Sequence, residues 1–282
     1  MRAPPRLAVV IPTRNPQPDR WRAVLRGLAG QSVGPSEWEF CIVDNGSTLP
    51  VDTTALPAPF SRSIVPETRP GLLWARLAGM KATTAPFILF MDDDTVPAAT
   101  TLAEAIEFLE RHPEVGTAGA RIRARYLATP PPWIDEVEWA LALRNFGSTP
   151  LIWAKSHGGA LPPGAPIGAG LLVRRAALPA YYAHVESQSK EIETRSWRGQ
   201  GAGGNEDKDL VLTLLRANWA MGYCPGLEFE HLVPADRLDF AYFERLVPAL
   251  GEMWMRTLQA HDFVAFPPIH PRTLSLRRLK AW

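Results

Sequence analysis

The sequence predicts an α/β fold: a mainly parallel sheet flanked by helices, with a less regular second half and a C-terminal helical extension. Three observations predict it. Short, wholly apolar runs at residues 7–11 and 87–91 suit strands buried on both faces. Segments with apolar residues at helical spacing lie between such runs. Asp44 and the run Asp92-Asp93-Asp94 each follow a strand directly. In open sheets of alternating strands and helices, ligands sit off the carboxyl ends of the strands. Both acidic positions therefore belong on one rim.

The elements follow in order. Residues 7–11 form the first strand, ended by Pro12. Trp21, Val24, Leu25 and Leu28 mark a helix. Residues 40–43 form a second strand, stopped by the turn-forming Asp44-Asn45-Gly46-Ser47. A Pro-rich loop (Pro50, Pro57, Pro59) leads to a short strand at 63–65, and Leu73, Leu77 and Met80 mark the next helix. The strand at 87–91 runs into the three aspartates. Thr101 and Glu104 have the spacing of a capping box, ahead of a helix that buries Leu102, Ile106 and Leu109. Residues 115–120 read as a strand.

Beyond Pro130-Pro131-Pro132, an amphipathic helix is expected at 133–145 and a strand at 167–174, where Gly168 and Gly170 permit close backbone approach. A glycine-rich stretch at 199–204 precedes Asn205-Glu206-Asp207 and a helix to about residue 218. Short strands are expected at 219–224 and 228–231, and a final helix carries Phe240, Phe243, Val247, Leu250 and Trp254.

The chain has 282 residues, 46% hydrophobic and 21% charged, which is ordinary globular composition with room for a sizeable core. A net charge of +1 gives no bulk attraction to nucleic acid, and none is expected as a partner. Cys41 and Cys224 both lie in apolar runs and read as buried reduced thiols, which suits a cytoplasmic setting. No apolar run approaches the ~18 residues of a membrane span, and the N-terminus has no signal-peptide pattern. Arg277, Arg278 and Lys280, with Leu274, Leu276, Leu279 and Trp282, read as a solvated basic end or as a peripheral contact with the inner membrane surface.

Adjacent aspartates repel one another. A cation at the strand end would relieve that, and magnesium or manganese favours such sites, completed by water and substrate phosphates. If the run is extended, Asp92 and Asp94 project to one side. A solvated acidic turn is the competing reading.

The neighbouring motifs extend this. Val9-Val10-Ile11-Pro12-Thr13-Arg14-Asn15, Ile42-Val43-Asp44-Asn45-Gly46-Ser47, Gly71 with Ala75-Arg76, Phe90-Met91-Asp92-Asp93-Asp94 with Pro97, the Gly-rich strand at 168–175, Glu206-Asp207-Lys208-Asp209-Leu210 and His231 occur in that order. Together they resemble the family 2 glycosyltransferases of GT-A fold, over roughly residues 7–232. The chain departs from the family's Ala-Arg-Asn at Leu77, so that amide is absent.

The resemblance implies roles. Pro12, Thr13 and Asn15 would dock base and ribose, and Asp44 would accept a base N–H, which favours a uridine or thymidine diphosphate sugar. Arg76 would face base or diphosphate. Asp92 would meet the ribose, with Asp93 beside it in the nucleotide site. Asp94 would hold Mn2+ or Mg2+, with His231 completing its shell. Asp207 would be the general base of inverting transfer, with Glu206 contacting the acceptor and Trp197, like Trp153, lining its pocket. Apart from the resemblance, the glycines at 199–204 read as a lid over the donor and 157–159 as a second mobile loop, with plain surface turns as the competing reading. The acceptor would be a glycan, a lipid-linked glycan or a small molecule. Residues 1–125 would bind the nucleotide sugar. Residues 126–235, in the same domain, would supply acceptor binding and the base, and 236–282 would form the helical extension. Two other functions fit such a fold: a sugar-phosphate nucleotidyltransferase, disfavoured because no glycine loop follows the first strand, and a non-catalytic nucleotide-sugar-binding protein, disfavoured because both acidic sites are retained.

Overall fold

The computed structural model describes residues 4–56, 62–153, 164–194, 196 and 204–262. In chain order the elements are β1 (Leu7–Thr13), α1 (Pro18–Ala29), β2 (Trp38–Asp44), β3 (Arg62–Pro66), α2 (Leu72–Ala82), β4 (Phe87–Phe90), β5 (Thr95–Pro97), α3 (Thr101–Arg111), β6 (Val115–Tyr126), α4 (Ile134–Val137), β7 (Leu151–Trp153), β8 (Leu171–Arg174), α5 (Leu178–Thr194), α6 (Glu206–Arg216), β9 (Ala220–Val233) and α7 (Phe240–Ala260). The sheet order is β3-β2-β1-β4-β8-β6-β9-β5, with β7 also on β9. Strands β1, β2, β3, β4, β6 and β9 share one direction, while β5, β7 and β8 oppose it. The parallel β3-β2-β1-β4 block is the half that the apolar runs foretold. The later half is mixed because β8 is inserted antiparallel between β4 and β6.

The apolar runs are buried on both faces, as their composition requires. Leu7, Val9 and Ile11 of β1 point into one core with Trp21, Val24, Leu25 and Leu28 of α1 and Leu102, Ile106 and Leu109 of α3. Ala8 and Val10 point into the other, with Leu73 and Met80 of α2, Tyr181 and Val185 of α5, and Leu210, Val211 and Leu214 of α6. At Gly79, an added Cβ would collide with Val10 Cγ1, so glycine there lets α2 lie close on β1. A smaller third cluster joins Ile134, Leu141, Val233, Leu238 and Phe243, with the Trp133 ring edge-on to Phe240 and Phe243.

Several expectations are corrected. The helix expected at 133–145 is one turn, α4, followed by a 3-10 turn that ends where Ala142 adopts φ 59. Arg144 then bridges to Ile122. Backbone hydrogen bonds to that strand replace the amphipathic face. No capping box forms: Thr101 is already inside α3, and its hydroxyl donates to the Glu228 carbonyl at 2.7 Å. The glycines at 168–170 form a 3-10 turn ahead of β8. The two short strands near 219–231 are one strand, β9, whose register against β6 shifts between Cys224 and Glu228, around Pro225-Gly226. Helix α5 and strands β5 and β7 had no sequence expectation. No helix among the described residues is long and apolar enough to cross a membrane.

Candidate active site

The site grows from the carboxyl ends of β1, β2 and β4. Register pairs Thr13 with Asp44, and Val10 with Phe90, so the segments that follow share one rim. The loops there are knitted together by side chains. Asn15, at φ 52, accepts from the Thr48 amide at 2.8 Å and hydroxyl at 2.9 Å, and its own amide donates to Ser47 Oγ at 2.9 Å. Asp44 accepts the Ser47 amide, three residues on, at 2.8 Å and so closes the turn. Asn45 binds the Glu67 and Arg69 carbonyls and the Gly71 amide, tying β2 to the start of α2. Pro12 is buried opposite Val43 inside the sheet and presents no polar group to the rim.

The acidic run is a turn, not an extended segment. Thr95 N donates to the Asp92 carbonyl at 3.3 Å, and the Thr95 hydroxyl binds the same carbonyl at 3.0 Å. Alternation therefore does not place Asp92 and Asp94 side by side, and the three carboxylates meet three different environments. Asp93 accepts the Thr13 hydroxyl. Burial, then the charge of Asp94, pushes it up to about 7 against that bond. Asp94 is also pushed up by burial, but the hydrogen bond and charge of His231 and the charges of Arg237 and Arg20 outweigh it and hold it at about 2. Arg20 Nη1 stands 3.2 Å from Asp94 Oδ2, Arg237 Nη2 3.4 Å from it, and His231 Nε2 3.6 Å from Oδ1. Asp92 is raised by burial and by Asp94, with Arg76, His231 and Arg237 opposing.

His231 reaches this point because β5 pairs with β9: Thr95 lies opposite His231, and the Leu232 amide donates to the Asp94 carbonyl at 2.9 Å. Its Nδ1 is 2.8 Å from the Leu141 carbonyl, which can only accept, so that nitrogen carries the proton. Nε2 lies 3.1 Å from Arg237 Nη1 and 3.6 Å from Asp94 Oδ1, and its unprotonated form would offer a lone pair. An ionised carboxylate beside an imidazole nitrogen whose far side is fixed by a carbonyl suits a divalent cation. Asp94 and His231 can contribute to a divalent-cation site, with Arg20 and Arg237 giving up the Asp94 carboxylate to the ion.

The second acidic site lies at the start of α6. Asp207 is buried. Its Oδ2 accepts the Gly168 amide at 2.9 Å, and its Oδ1 accepts the Lys208 amide at 2.7 Å. Glu206 is buried and pairs with Arg76 at 3.1 Å. That differs from the expectation for both residues: Arg76 is turned into the protein interior, and Glu206 faces it, not open acceptor space. The charges of Glu206, Asp207 and Asp92 all bear on Arg76, so one buried guanidinium links the two acidic sites. Gly168 makes room for it, since a Cβ there would collide with Arg76 Nη2. Trp153 packs on the core, covering Gly164. Trp197, the loop at 157–159, residues 199–203 of the glycine stretch and the basic C-terminus lie outside the described residues.

Sequence reasoning missed Arg20 and Arg237. The available signal was position: Arg20 is in the first turn of α1, the helix that follows β1, and Arg237 is in the turn that follows the strand bearing His231.

The pattern described as Glycosyl transferase family 2 matches residues 8–161, which include Thr13, Asp44, Arg76 and the acidic run. An N-acetylglucosaminyltransferase of Rhizobium meliloti (strain 1021) is 25% identical over 274 residues, 93% of this chain and 58% of that protein. One of Neorhizobium galegae is 25% identical over 283 residues, 96% and 59%. The chain thus spans somewhat over half the length of these curated relatives. Among solved structures, S. aureus TarS 1-349 in complex with UDP-GlcNAc aligns with TM-score 0.54 at 17% identity, covering 80% of this chain and 58% of that one. Its UDP complex aligns with TM-score 0.54 at 16% identity, covering 90% and 72%. These likenesses show that the fold is of GT-A type.

Proposed function

The chain belongs to glycosyl transferase family 2, and from that premise we propose that it is a metal-dependent, inverting transferase moving a sugar from a uridine or thymidine diphosphate sugar to a hydroxyl acceptor. The observation that carries this reading is the separation of two acids in one site. Asp94, held ionised at about 2, faces His231, while Asp207 stands apart at the start of α6. Leaving-group charge and proton transfer are different tasks, and each has its own carboxylate.

Asp94 and His231 would hold Mn2+ or Mg2+, which when bound supplies charge stabilisation to the leaving diphosphate. Arg20 and Arg237, both already at Asp94, would add positive charge to the same oxygens. Thr13, Asn15, Asp44, Asp92 and Asp93 would receive the nucleoside, with Pro12 closing the sheet beneath them. Asp207 would take the proton of the acceptor hydroxyl as its oxygen bonds to the anomeric carbon and the nucleoside diphosphate departs with the electron pair. Both Asp207 oxygens already accept one amide, yet each keeps a lone pair for that proton. Arg76 and Glu206 position α6 and Gly168 around the base. UDP-GlcNAc is the first donor to try, supported by the names of the two relatives and by the TarS complex. The acceptor class, whether a glycan, a lipid-linked glycan or a small molecule, belongs to the same proposal, as do Trp197 at the acceptor and a cytoplasmic site with peripheral contact through the basic C-terminus. Calorimetry with UDP and manganese tests the donor and metal half. Native protein should bind UDP more tightly with manganese, and Asp94→Ala should lose that gain. Equal metal-dependent binding by both would remove Asp94 from the metal site.

A further inference from the structure

Three metal-ligating side chains converge on the face of α6 away from the base. Residues two apart on a helix point roughly 200° apart around its axis, so Asp209 faces away from Asp207. It meets His184 of α5 and His261, which caps the end of α7. His261 Nε2 is 2.9 Å from Asp209 Oδ1, and His184 Nε2 is 3.2 Å from Oδ2. Among the described residues this is the one group of three such side chains whose ligand atoms all lie within 4.8 Å of one another. Asp209 and His261 are 1% exposed, while His184 keeps 14% of its side chain open.

The contact of His184 Nε2 with the carboxylate misses the geometry of a hydrogen bond, and that nitrogen is buried without one. The two imidazole rings lie 5.1 Å apart at 37°, both directing Nε2 at the carboxylate. Ligands ~2.0–2.1 Å from a tetrahedral zinc stand roughly 3.4 Å apart. The separations here differ from that by amounts that side-chain rotation supplies. Two imidazoles and a carboxylate are a common three-ligand set for zinc, with water in the fourth position.

We propose that His184, Asp209 and His261 form a zinc site, separate from Asp94 and His231, that fastens α5 and α7 to the back of the helix carrying Asp207. The site would lock α7 in place beside the Lys208–Trp254 contact and hold the start of α6 fixed from behind. The inference does not depend on the sugar-transfer reading.

The test uses the full chain stripped with a chelator and titrated with Zn2+ alone, then with Co2+. Native protein should take up one zinc per chain at this site, beyond any held at Asp94 and His231, gain about 5 °C in Tm at a hundredfold excess over Kd, and show the visible absorption of tetrahedral cobalt. Asp94→Ala should keep all three properties. His184→Gln and His261→Gln, each checked for native circular dichroism, should lose them. Should one histidine variant fail to fold, the other decides, and His184 is the more exposed. Absence of zinc uptake by the native protein, or uptake lost in Asp94→Ala and retained in both histidine variants, overturns the proposal and leaves the trio as an ion pair.

Discussion

Replacing Arg76 by Met tests whether the buried guanidinium holds the two acidic sites together. Arg76 and Glu206 are both 5% exposed, with 3.1 Å between Nη1 and Oε1. At an effective dielectric of ~20, charges at that separation attract by about 5 kcal/mol. Part of this offsets the desolvation of both groups. Removing one partner of such a pair costs about 3–5 kcal/mol, because the other charge stays in a buried setting built for two. At ~2 °C per kcal/mol for a chain of this size, Arg76→Met should lower Tm by roughly 6–10 °C. Glu206→Gln should lower it less, since the charges of Asp207 and Asp92 also bear on Arg76. The double variant Arg76→Met/Glu206→Gln leaves no unpaired Glu206 charge and should recover that share of the loss, while Asp207 and Asp92 still lack the guanidinium. That would give a coupling energy of ~2 kcal/mol or more in a double-mutant cycle followed by chemical denaturation. Two single losses below ~1 kcal/mol, or strictly additive losses, would refute the reasoning.

Other consequences follow from the same geometry. Asp93, raised to about 7 from 3.8, holds its proton in the folded state where the unfolded chain releases it. Stability should therefore fall as pH rises from about 4 to 7. In metal-free buffer, Asp93→Asn should remove this slope and raise Tm at pH 8 but not at pH 4, with a gain below the ~4 kcal/mol the difference implies, because the group is only half-buried. Asp94 has the opposite sign: held at about 2, it stabilises the fold above pH 4 and ceases to as pH falls through 2, so the destabilisation caused by Asp94→Asn should vanish in acid titrations. Gly79→Ala drives a methyl into Val10 between α2 and β1 and should cost ~1–3 kcal/mol in denaturant unfolding.

The parallel half of the fold was legible because strands buried on both faces must be apolar throughout. Residues 7–11, 40–43 and 87–90 all lie in such strands, and their carboxyl ends fix the rim. The second half was less legible for physical reasons. Strand β8 is four residues long and is preceded by glycines that turn, not extend. The segment at 133–145 carries a helical pattern, but its tertiary bridge to Ile122 overrides it. In the site, the identities of the acids were readable and their surroundings were not. The fate of each aspartate depends on Thr13, Arg20, His231 and Arg237, which lie far from the run in sequence and approach it only through β-pairing and helix packing. Arg76 shows the same limit: its position in the motif was evident, but its burial against Glu206, 130 residues away, was not.

The central claim is the division of labour between Asp94 and Asp207, and Asp207→Asn tests it most directly. The measurement is UDP release from UDP-GlcNAc, with an acceptor that supports turnover by the native chain, beside calorimetric UDP binding in manganese. The variant should bind UDP like the native protein and lose at least ~100-fold in turnover, the lower range for general-base catalysis. Native-like turnover by Asp207→Asn would contradict the assignment of the base.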